Sequence, residues 1–296
     1  MTRRYEPAID VAGITAIDVH THIETDRAGR HFALDDELLA ASAKYFKSGD
    51  RTPTIDQLAG HYRERRMAAV VFTVDASTGL NHPALSSEEI AEQAAEHADV
   101  LIPFGSVDPH RGAAAAQARR LVEEYGVRGF KFHPSVQAFE PNSREFYPLY
   151  ETLEELGVVA LFHTGQTGIG SGLPGGRGIK LRYSDPMLLD DVAADFPTLN
   201  IVMAHPAVPW VDAQISIATH KPNVYIDLSG WSPKYFPPQL VRQAGRLLKR
   251  KVLFGSDYPL ITPDRWLADF AKLEIEDEVK SLIMKDNAAR LLRLTA

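Results

Sequence analysis

Eight short apolar segments recur along the 296-residue chain, and a helical pattern follows each of them. The segments are rich in Val, Ile, Leu and Phe over nearly their whole length, as are strands that are buried on both faces. They span residues 16–22, 68–75, 101–108, 129–133, 158–163, 200–205, 224–229 and 252–257. Eight strands that each precede a helix predict a (β/α)8 barrel, the TIM-barrel fold of the α/β class.

Residues typical of helix ends support this alternation. Ser87 is followed by two acidic residues, Asp185 precedes a proline, and Gly126 ends an alanine-rich segment. The predicted helices span residues 54–66, 87–98, 112–125, 144–156, 185–196, 209–219, 238–249 and 263–273, with an extra C-terminal helix over 277–294. The alternative fold, an open doubly wound sheet, predicts a glycine-rich turn after the first strand, but this chain has HTHIET there.

Composition limits the organisation and the partners of the chain. A hydrophobic content of 45% can supply the core of a single domain over residues 1–296, since barrels of about 250 residues commonly form one domain. The net charge of −7 gives no basic face for nucleic acid or an anionic membrane. The absence of cysteine excludes disulfides and thiolate metal sites and fits a cytoplasmic protein. The N-terminus lacks a signal-peptide pattern, and no run reaches the ~18 apolar residues of a membrane span.

The first, fifth, sixth and eighth predicted strands end in candidate metal ligands or acid–base groups, each a histidine or an aspartate. The first strand ends in a His-x-His pair, His20 and His22, whose side chains project from the same face and can reach one ion. His163, His205 and Asp257 end the fifth, sixth and eighth strands. Each residue alone also fits a structural role, as a hydrogen-bonded histidine or a turn-capping aspartate. A barrel, however, brings all these strand ends to one opening, so their coincidence predicts a shared site for a divalent metal ion.

The motifs around these residues resemble those of the amidohydrolase superfamily. The resemblance covers about residues 14–292 and rests on DVHTH (18–22), FHP (132–134), FHT (162–164), AHP (204–206) and FGSDYP (254–259). It implies that His20, His22, His163 and Asp257 bind the ion, and that His205 lies near the metal-bound water as an acid or base. Three imidazoles and a carboxylate suit Zn²⁺, our choice because of its availability, and are also compatible with Mn²⁺, Fe²⁺ or Co²⁺.

Within the superfamily, the chain resembles the branch that contains aminocarboxymuconate-semialdehyde decarboxylase and related hydrolases. Several aromatic-acid decarboxylases of this branch have Glu-x-His on the first strand, whereas this chain has His-x-His, as the semialdehyde decarboxylase does. Segments 129–139, 163–186 and 227–241 are similar to bacterial amidohydrolases assigned to aryl β-ketoacyl-CoA cleavage. Because members of the branch often form dimers, the resemblance also implies a homodimer.

These features give one leading prediction of function and two alternatives. The leading prediction is hydrolytic carbon–carbon cleavage of an aromatic β-ketoacyl-CoA, a step of aromatic compound catabolism. The ion would lower the pKa of a water molecule toward ~7, and His205 and Asp257 would take and return the proton. The first alternative is non-oxidative decarboxylation of an aromatic or unsaturated carboxylic acid at the same site. The second is a non-catalytic metal-binding scaffold, which would not need all four ligands together with His205.

Two residues on the fourth strand are candidate substrate contacts. Lys131 and His133 alternate along this strand and therefore face the same way. Lys131 would contact a substrate carboxylate, form an ion pair inside the barrel or, as in two-metal amidohydrolases, become carboxylated and bridge two ions. His133 would support the metal ligands or contact the substrate. The predicted substrate is thus a small-molecule carboxylate or an acyl-CoA.

Two long connections, residues 23–51 and 165–184, follow strand ends, where barrel enzymes place active-site loops. The second is rich in glycine and carries Arg177, Lys180 and Arg182, which predicts a lid or a binding site for a carboxylate or phosphate. A flexible surface loop is the alternative. Trp210 and four other aromatic residues after strand ends would line an aromatic-substrate pocket or pack in the core: Trp231, Tyr235, Phe236 and Tyr258.

Overall fold

Eight parallel strands form the centre of the computed structural model, which describes residues 4–30, 34–46 and 52–294. The strands are β1 (Ala16–His22), β2 (Met67–Phe72), β3 (Leu101–Pro103), β4 (Gly129–Phe132), β5 (Val159–His163), β6 (Ile201–Ala204), β7 (Val224–Asp227) and β8 (Val252–Leu253). One parallel sheet contains β1, β2 and β3, and a second contains β4 to β8, with each strand paired to the next one in the chain.

Backbone contacts join the two sheets at both seams. Gly105, just after β3, forms a parallel bridge with Phe130 of β4, and Thr21 of β1 forms one with Tyr258 after β8. At the second seam the amide of His22 also donates to the carbonyl of Tyr258 over 2.8 Å. The eight strands therefore form the predicted (β/α)8 barrel, with the carboxyl ends of all strands at one opening.

Helices connect the strands, and several begin or end at the predicted residues. They are α1 (Asp36–Phe46), α2 (Ile55–Glu64), α3 (Ser77–Leu80), α4 (Ser87–Glu96), α5 (Ala114–Tyr125), α6 (Pro134–Gln137), α7 (Tyr147–Glu155), α8 (Met187–Asp195), α9 (Val211–His220), α10 (Pro238–Ala244), α11 (Pro263–Phe270), α12 (Asp277–Ser281) and α13 (Asn287–Leu291). At the start of α2 the amide of Gln57 donates to the Thr54 hydroxyl, and the amide of Thr54 donates back to the Gln57 side chain. In the three described ranges, no helix combines the length and the apolar character needed to cross a membrane.

The C-terminal helical region is less regular than predicted. In place of one helix over 277–294, a π-helical segment, Leu282–Asp286, separates α12 from α13. The carbonyl of Ile283 in this segment accepts a hydrogen bond from the amide of Phe254 over 2.9 Å, and the Asn287 side chain donates to the carbonyl of Val252. The wider turn thus supplies hydrogen-bond partners to β8 and the residues that follow it.

Strands β2, β3 and β8 end three or more residues earlier than the sequence predicts, and three helices were not predicted: α1, α3 and α6. After β8 the chain stays beside β1, since the amide of Val19 donates to the carbonyl of Phe254 and the amide of Asp257 donates to the carbonyl of His20. Asp257 itself has a φ of 70°, in the left-handed region that a strand excludes. The longest of these helices, α1, lies in the long connection over residues 23–51. Residues 31–33 and 47–51 of that connection lie outside the described residues.

A register shift in the middle of β1 determines where its histidines point. Val19 belongs to the apolar cluster inside the barrel together with Phe72 of β2. His20 and His22 also contact the Phe72 ring, with centroid distances of 5.0 and 4.9 Å. In a regular strand, residues 19 and 20 would face opposite sides, whereas the shift turns His20 to the same side as Val19. One strand thus passes from the apolar interior to the polar rim.

Candidate metal centre and active site

Three side chains at the carboxyl end of the barrel converge on one point. His20 and His22 of β1 and Asp257 after β8 each offer one ligand atom, and these atoms lie within 4.8 Å of one another. The Asp257 carboxylate is 3.2 Å from Nε2 of His22 and 3.4 Å from Nε2 of His20. Imidazoles and a carboxylate suit divalent ions such as Zn²⁺ and Mn²⁺. The structure therefore brings together three of the four predicted ligands.

The fourth predicted ligand, His163 at the end of β5, lies beside this group. Its ring stacks on His133 with centroids 3.7 Å apart, and its centroid is 4.7 Å from that of His205. Nε2 of His163 is buried and has no hydrogen-bond partner among the residues that the structure describes. A buried polar atom without a partner is costly unless a ligand satisfies it. This nitrogen therefore fits a place in a metal site.

A carboxylate that the sequence analysis missed orients His20. Asp227, at the end of β7, accepts a hydrogen bond from Nδ1 of His20 over 2.5 Å, and both side chains are fully buried. This bond places the His20 proton on Nδ1 and leaves Nε2 free to coordinate an ion. The strand segment VYIDLS did contain an indication, since an aspartate interrupts its apolar pattern near the strand end.

Ser229 connects His205 to this buried pair. Its hydroxyl oxygen lies 2.9 Å from Nδ1 of His205 and 2.9 Å from Nδ1 of His20, and the hydroxyl donates to Asp227 over 3.0 Å. Because the single hydroxyl proton is used by Asp227, the oxygen of Ser229 accepts a hydrogen bond from Nδ1 of His205. Nε2 of the neutral His205 ring is then unprotonated and able to accept a proton.

The backbone at His205 and Asp257 is strained in the same way. Both residues have a φ of 70°, which is uncommon for residues other than glycine. Close packing accompanies these conformations: a Cβ on Gly230 would lie 2.4 Å from Nδ1 of His205, and one on Gly255 would lie 2.2 Å from the Asp227 carboxylate. Backbone strain of this kind persists where surrounding contacts fix it, and it is concentrated at functional sites.

Burial and local charge set the protonation states that bind a cation. Burial lowers the pKa of His205 to about 4 and lowers the pKa values of His20 and His163 well below the usual range. For Asp257, burial alone would raise the pKa, but the hydrogen bond from His22 and the neighbouring positive charges leave it lowered. Neutral imidazoles and an ionised carboxylate are the forms that coordinate a metal ion. Donor types, protonation and the unpartnered His163 nitrogen together fit a divalent ion.

Lys131 is a buried cation next to the ligand group. Only 1% of its surface is exposed, and Nζ lies 3.1 Å from Nε2 of His20. Burial lowers its pKa to about 8, although the charges of Asp227 and Asp257 act in the opposite direction. Within the described ranges no acidic group lies close enough to form an ion pair with it. Because Lys131 lines the cavity, its geometry favours a substrate contact over an ion pair inside the barrel.

A cavity of about 670 Å³ opens at this end of the barrel. Its buried part is polar and contains the candidate ligands and their neighbours: His22, Lys131, His133, His163, His205 and Asp257. Aromatic side chains line its outer part: Tyr45, Phe46, Trp231 and Tyr235. A small number of polar groups at the base of an apolar pocket is the usual form of a small-molecule site.

The two long connections meet at this cavity. Tyr45 and Phe46 belong to α1 in the first connection, and Gly168 and Ile169 belong to the second. Gly168 packs so closely on α1 that a Cβ would lie 2.5 Å from the Phe46 ring. The aromatic residues of α1 were missed by the sequence analysis, because nothing in the sequence of the first connection distinguished them from surface residues.

Three predicted substrate contacts are not among the residues that line the cavity: Arg177, Lys180 and Arg182. The Arg177 guanidinium lies 3.0 Å from the Asp35 carboxylate and 2.7 Å from that of Glu37. Arg182 lies 3.5 Å from the Glu140 carboxylate, and Lys180 is exposed. The anion-binding role of these three residues therefore remains a prediction from the sequence.

Trp210 also lies apart from the cavity lining, at the start of α9. Trp231, from the segment after β7, lines the cavity instead. Of the other aromatic candidates, Tyr235 lines the cavity, whereas Phe236 and Tyr258 are buried in the core cluster around the barrel. The positions of Trp231 and Tyr235 thus fit the interpretation as pocket lining, whereas those of Phe236 and Tyr258 fit the interpretation as core packing.

Sequence comparison places the chain in a known family. The Amidohydrolase family model matches residues 17–294, which includes all four predicted ligands. The chain belongs to the amidohydrolase family. The superfamily predicted from the motifs is thereby confirmed. No curated protein sequence matches this amidohydrolase.

Three solved structures share the fold of this amidohydrolase over nearly their whole length. An uncharacterised TIM-barrel protein from Bordetella bronchiseptica has a TM-score of 0.78 at 22% identity, with 94% of this chain and 98% of that chain covered. 5-Carboxyvanillate decarboxylase from Sphingomonas paucimobilis has a TM-score of 0.66 at 16% identity, with 95% and 100% covered. A dihydroxybenzoic acid decarboxylase from a Polaromonas species, with bound manganese and the inhibitor 2-nitroresorcinol, has a TM-score of 0.66 at 17% identity, with 95% and 97% covered. At these identities the similarity establishes the TIM-barrel fold.

Proposed function

We propose that this amidohydrolase is a metal-dependent, non-oxidative decarboxylase of an aromatic carboxylic acid. The observation on which the proposal rests is the cavity, whose buried part combines the ligand group with Lys131 and whose outer walls are aromatic. An aromatic ring suits such walls, and a carboxylate suits the cationic end. Two of the similar structures are decarboxylases of aromatic acids, which supports this alternative over cleavage of a β-ketoacyl-CoA.

One divalent ion would be held by the four predicted ligands: His20, His22, His163 and Asp257. When bound, the ion would hold oxygen atoms of the substrate and stabilise negative charge on them. Zinc is the ion that we chose from the ligand types in the sequence. Manganese is the second candidate, because the Polaromonas decarboxylase contains it. The unpartnered Nε2 of His163 supports its inclusion as the fourth ligand.

The residues of the chain would supply orientation and proton transfer. In the reaction the ring carbon exchanges its carboxylate for a proton: CO₂ leaves without the electron pair of the broken bond, and that pair binds the proton. His205, held by Ser229 with Nε2 unprotonated, would accept a proton from a hydroxyl group of the substrate and deliver it to the ring carbon. Lys131 and His133 line the same end of the cavity and would contact the carboxylate and the ring substituents.

The experiment is a substrate comparison with the metal-loaded protein. The protein is supplied with Mn²⁺ or Zn²⁺ and incubated with hydroxylated benzoic acids, among them 2,6-dihydroxybenzoate and 5-carboxyvanillate, and CO₂ release is measured. We expect turnover of at least one acid, its loss with a chelator, and its recovery when the ion is returned. A parallel incubation with benzoylacetyl-CoA measures the release of benzoate and acetyl-CoA.

The two incubations separate the hypotheses. Release of benzoate and acetyl-CoA without CO₂ from any acid would replace decarboxylation by hydrolytic carbon–carbon cleavage, the leading prediction from the sequence. Binding of one equivalent of metal without turnover in either incubation would leave the non-catalytic scaffold. The His205→Asn variant, prepared in the same way, shows whether any activity belongs to this protein rather than to a contaminant.

A further inference from the structure

Arg265 is a second cationic residue of the cavity lining, and it differs from Lys131 in its exposure to solvent. Apart from histidines, the described residues that line the cavity include two with cationic side chains, Lys131 and Arg265. Lys131 is buried at the ligand group, whereas Arg265 is exposed. Arg265 stands in the first turn of α11, where its amide donates to the Thr262 hydroxyl. The cavity therefore has one cation at its buried end and one at its solvent-exposed end.

The wall of the cavity connects Arg265 to the ligand group. Asp257, Pro259, Leu260, Ile261 and Arg265 all line it, so one chain segment runs from the candidate metal ligand to the arginine. The cavity-lining residues between the two ends of this segment, Pro259, Leu260 and Ile261, are apolar. A flat apolar molecule along this wall would thus have a charged group of the protein at each end.

The guanidinium of Arg265 is available for a ligand. In the part of the chain that the structure describes, no acidic side chain forms an ion pair with it. The adjacent Asp264 is already engaged, since its carboxylate accepts hydrogen bonds from Arg65 over 2.8 and 2.9 Å. By contrast, Arg177 and Arg182 in the glycine-rich connection are paired with carboxylates away from the cavity.

We propose that Arg265 binds a second carboxylate of the substrate, which is carried on the same ring as the first and points to the solvent-exposed end of the cavity. The site would then select aromatic dicarboxylates over monocarboxylates. A guanidinium binds a carboxylate through two parallel hydrogen bonds, which a lysine cannot form. The assignment rests on the proposed function, which places the first carboxylate of the substrate at the candidate metal ligands. It concerns binding and is therefore tested without turnover.

The test is calorimetric binding of two probes to the Mn²⁺-loaded protein. Isophthalate has two carboxylates on one ring, and benzoate has one. We expect wild type to bind isophthalate about tenfold more tightly, which corresponds to about 1.4 kcal/mol. Arg265→Gln should lose this preference and leave the Kd of benzoate within about twofold, while Arg265→Lys should retain part of it. Arg242→Gln removes an exposed arginine that does not line the cavity and serves as the matched control.

Three outcomes would overturn the assignment. The first is equal affinity of wild type for the two probes, or no binding of isophthalate. The second is an equal loss of both probes in Arg265→Gln, which would mean a general distortion of the cavity. The third is a selective loss of coenzyme A binding in this variant with isophthalate unaffected, which would mean that the arginine binds phosphate. Failure of the proposed decarboxylation would appear instead as absent CO₂ release, with the preference for isophthalate intact.

Discussion

The strand ends of the barrel and the glycine-rich loop (residues 165–184) both carry charged residues, but they hold them in different ways. At the strand ends, His20, Asp227 and His205 are buried and joined through Ser229. In the loop, Arg177 is exposed and bonds to acidic residues outside the cavity. A strand fixes the direction of its side chains through its register, whereas a loop residue can point anywhere that its backbone allows. Sequence position is therefore a far better guide to which side chains converge at the strand ends than to where the loop side chains lie.

The loop backbone shows why its cations could not be placed from the sequence. Gly175, Gly176 and Arg177 are three successive residues with φ near 60°. Two glycines adopt this conformation without strain, and together they turn the chain just before the arginine. The pattern of glycines and cations was visible in the sequence, but the direction of the turn was not. This turn leaves the Arg177 side chain next to Asp35 and Glu37, two residues at or just before the start of α1.

His20→Ala is the most severe test of the strand-end site. The substitution removes a ligand and also the hydrogen-bond partner of Asp227, so we expect bound metal to fall to background and activity to disappear. Elemental analysis of the purified variant measures this, and a chelator should have the same effect on wild type. His220→Ala, which removes a histidine from the outer helix α9, should keep one equivalent of metal. Full metal content in His20→Ala would show that the site lies elsewhere.

His205→Ala separates proton transfer from metal binding within the same site. His205 lines the cavity, and the contact of its Nδ1 with Ser229 indicates an unprotonated Nε2. A site with four protein ligands does not need a fifth. We expect this variant to keep its metal and to lose about 10²–10⁴-fold in kcat, the usual contribution of a positioned acid or base. Metal content and kcat are measured on one preparation. If His205→Ala loses metal as readily as His20→Ala, His205 is a ligand and not a proton carrier.

Asp227→Asn measures what orientation alone contributes. The amide keeps the shape of the side chain but removes the charge that accepts the proton of His20 Nδ1. We expect metal affinity to fall by about 10–100-fold, as it does when such supporting groups are removed from metal sites. Competition with a coloured chelator gives the affinity, and Asp212→Asn on the surface of α9 is the control. An unchanged affinity would mean that Asp227 serves the fold and not the ion.

The sequence predicted the barrel and the residues of its rim more accurately than the contacts between them. Repeated apolar segments gave the eight strands, and the strand-end pattern located His20, His22 and Asp257, which the structure brings together. Asp227 was missed because an aspartate near a strand end is equally typical of a turn. The register shift in β1 was also invisible, since it depends on how β1 pairs with β2 and not on the residues of one strand.

Substitutions in the glycine-rich loop should have the smallest effect on activity. They test whether the loop takes part in substrate binding as the strand ends do. If the loop binds the anionic part of the substrate, replacing Arg177, Lys180 and Arg182 should raise the KM of the enzyme far more than it lowers kcat. Because the Arg177 and Arg182 side chains are paired outside the cavity, we expect the triple glutamine variant to change KM by less than about twofold. Exposed ion pairs contribute little to stability, so its free energy of unfolding should fall by no more than about 1 kcal/mol per pair. A tenfold or greater rise in KM with kcat unchanged would instead mean that the loop moves over the cavity when substrate binds, and the two regions would then form one site.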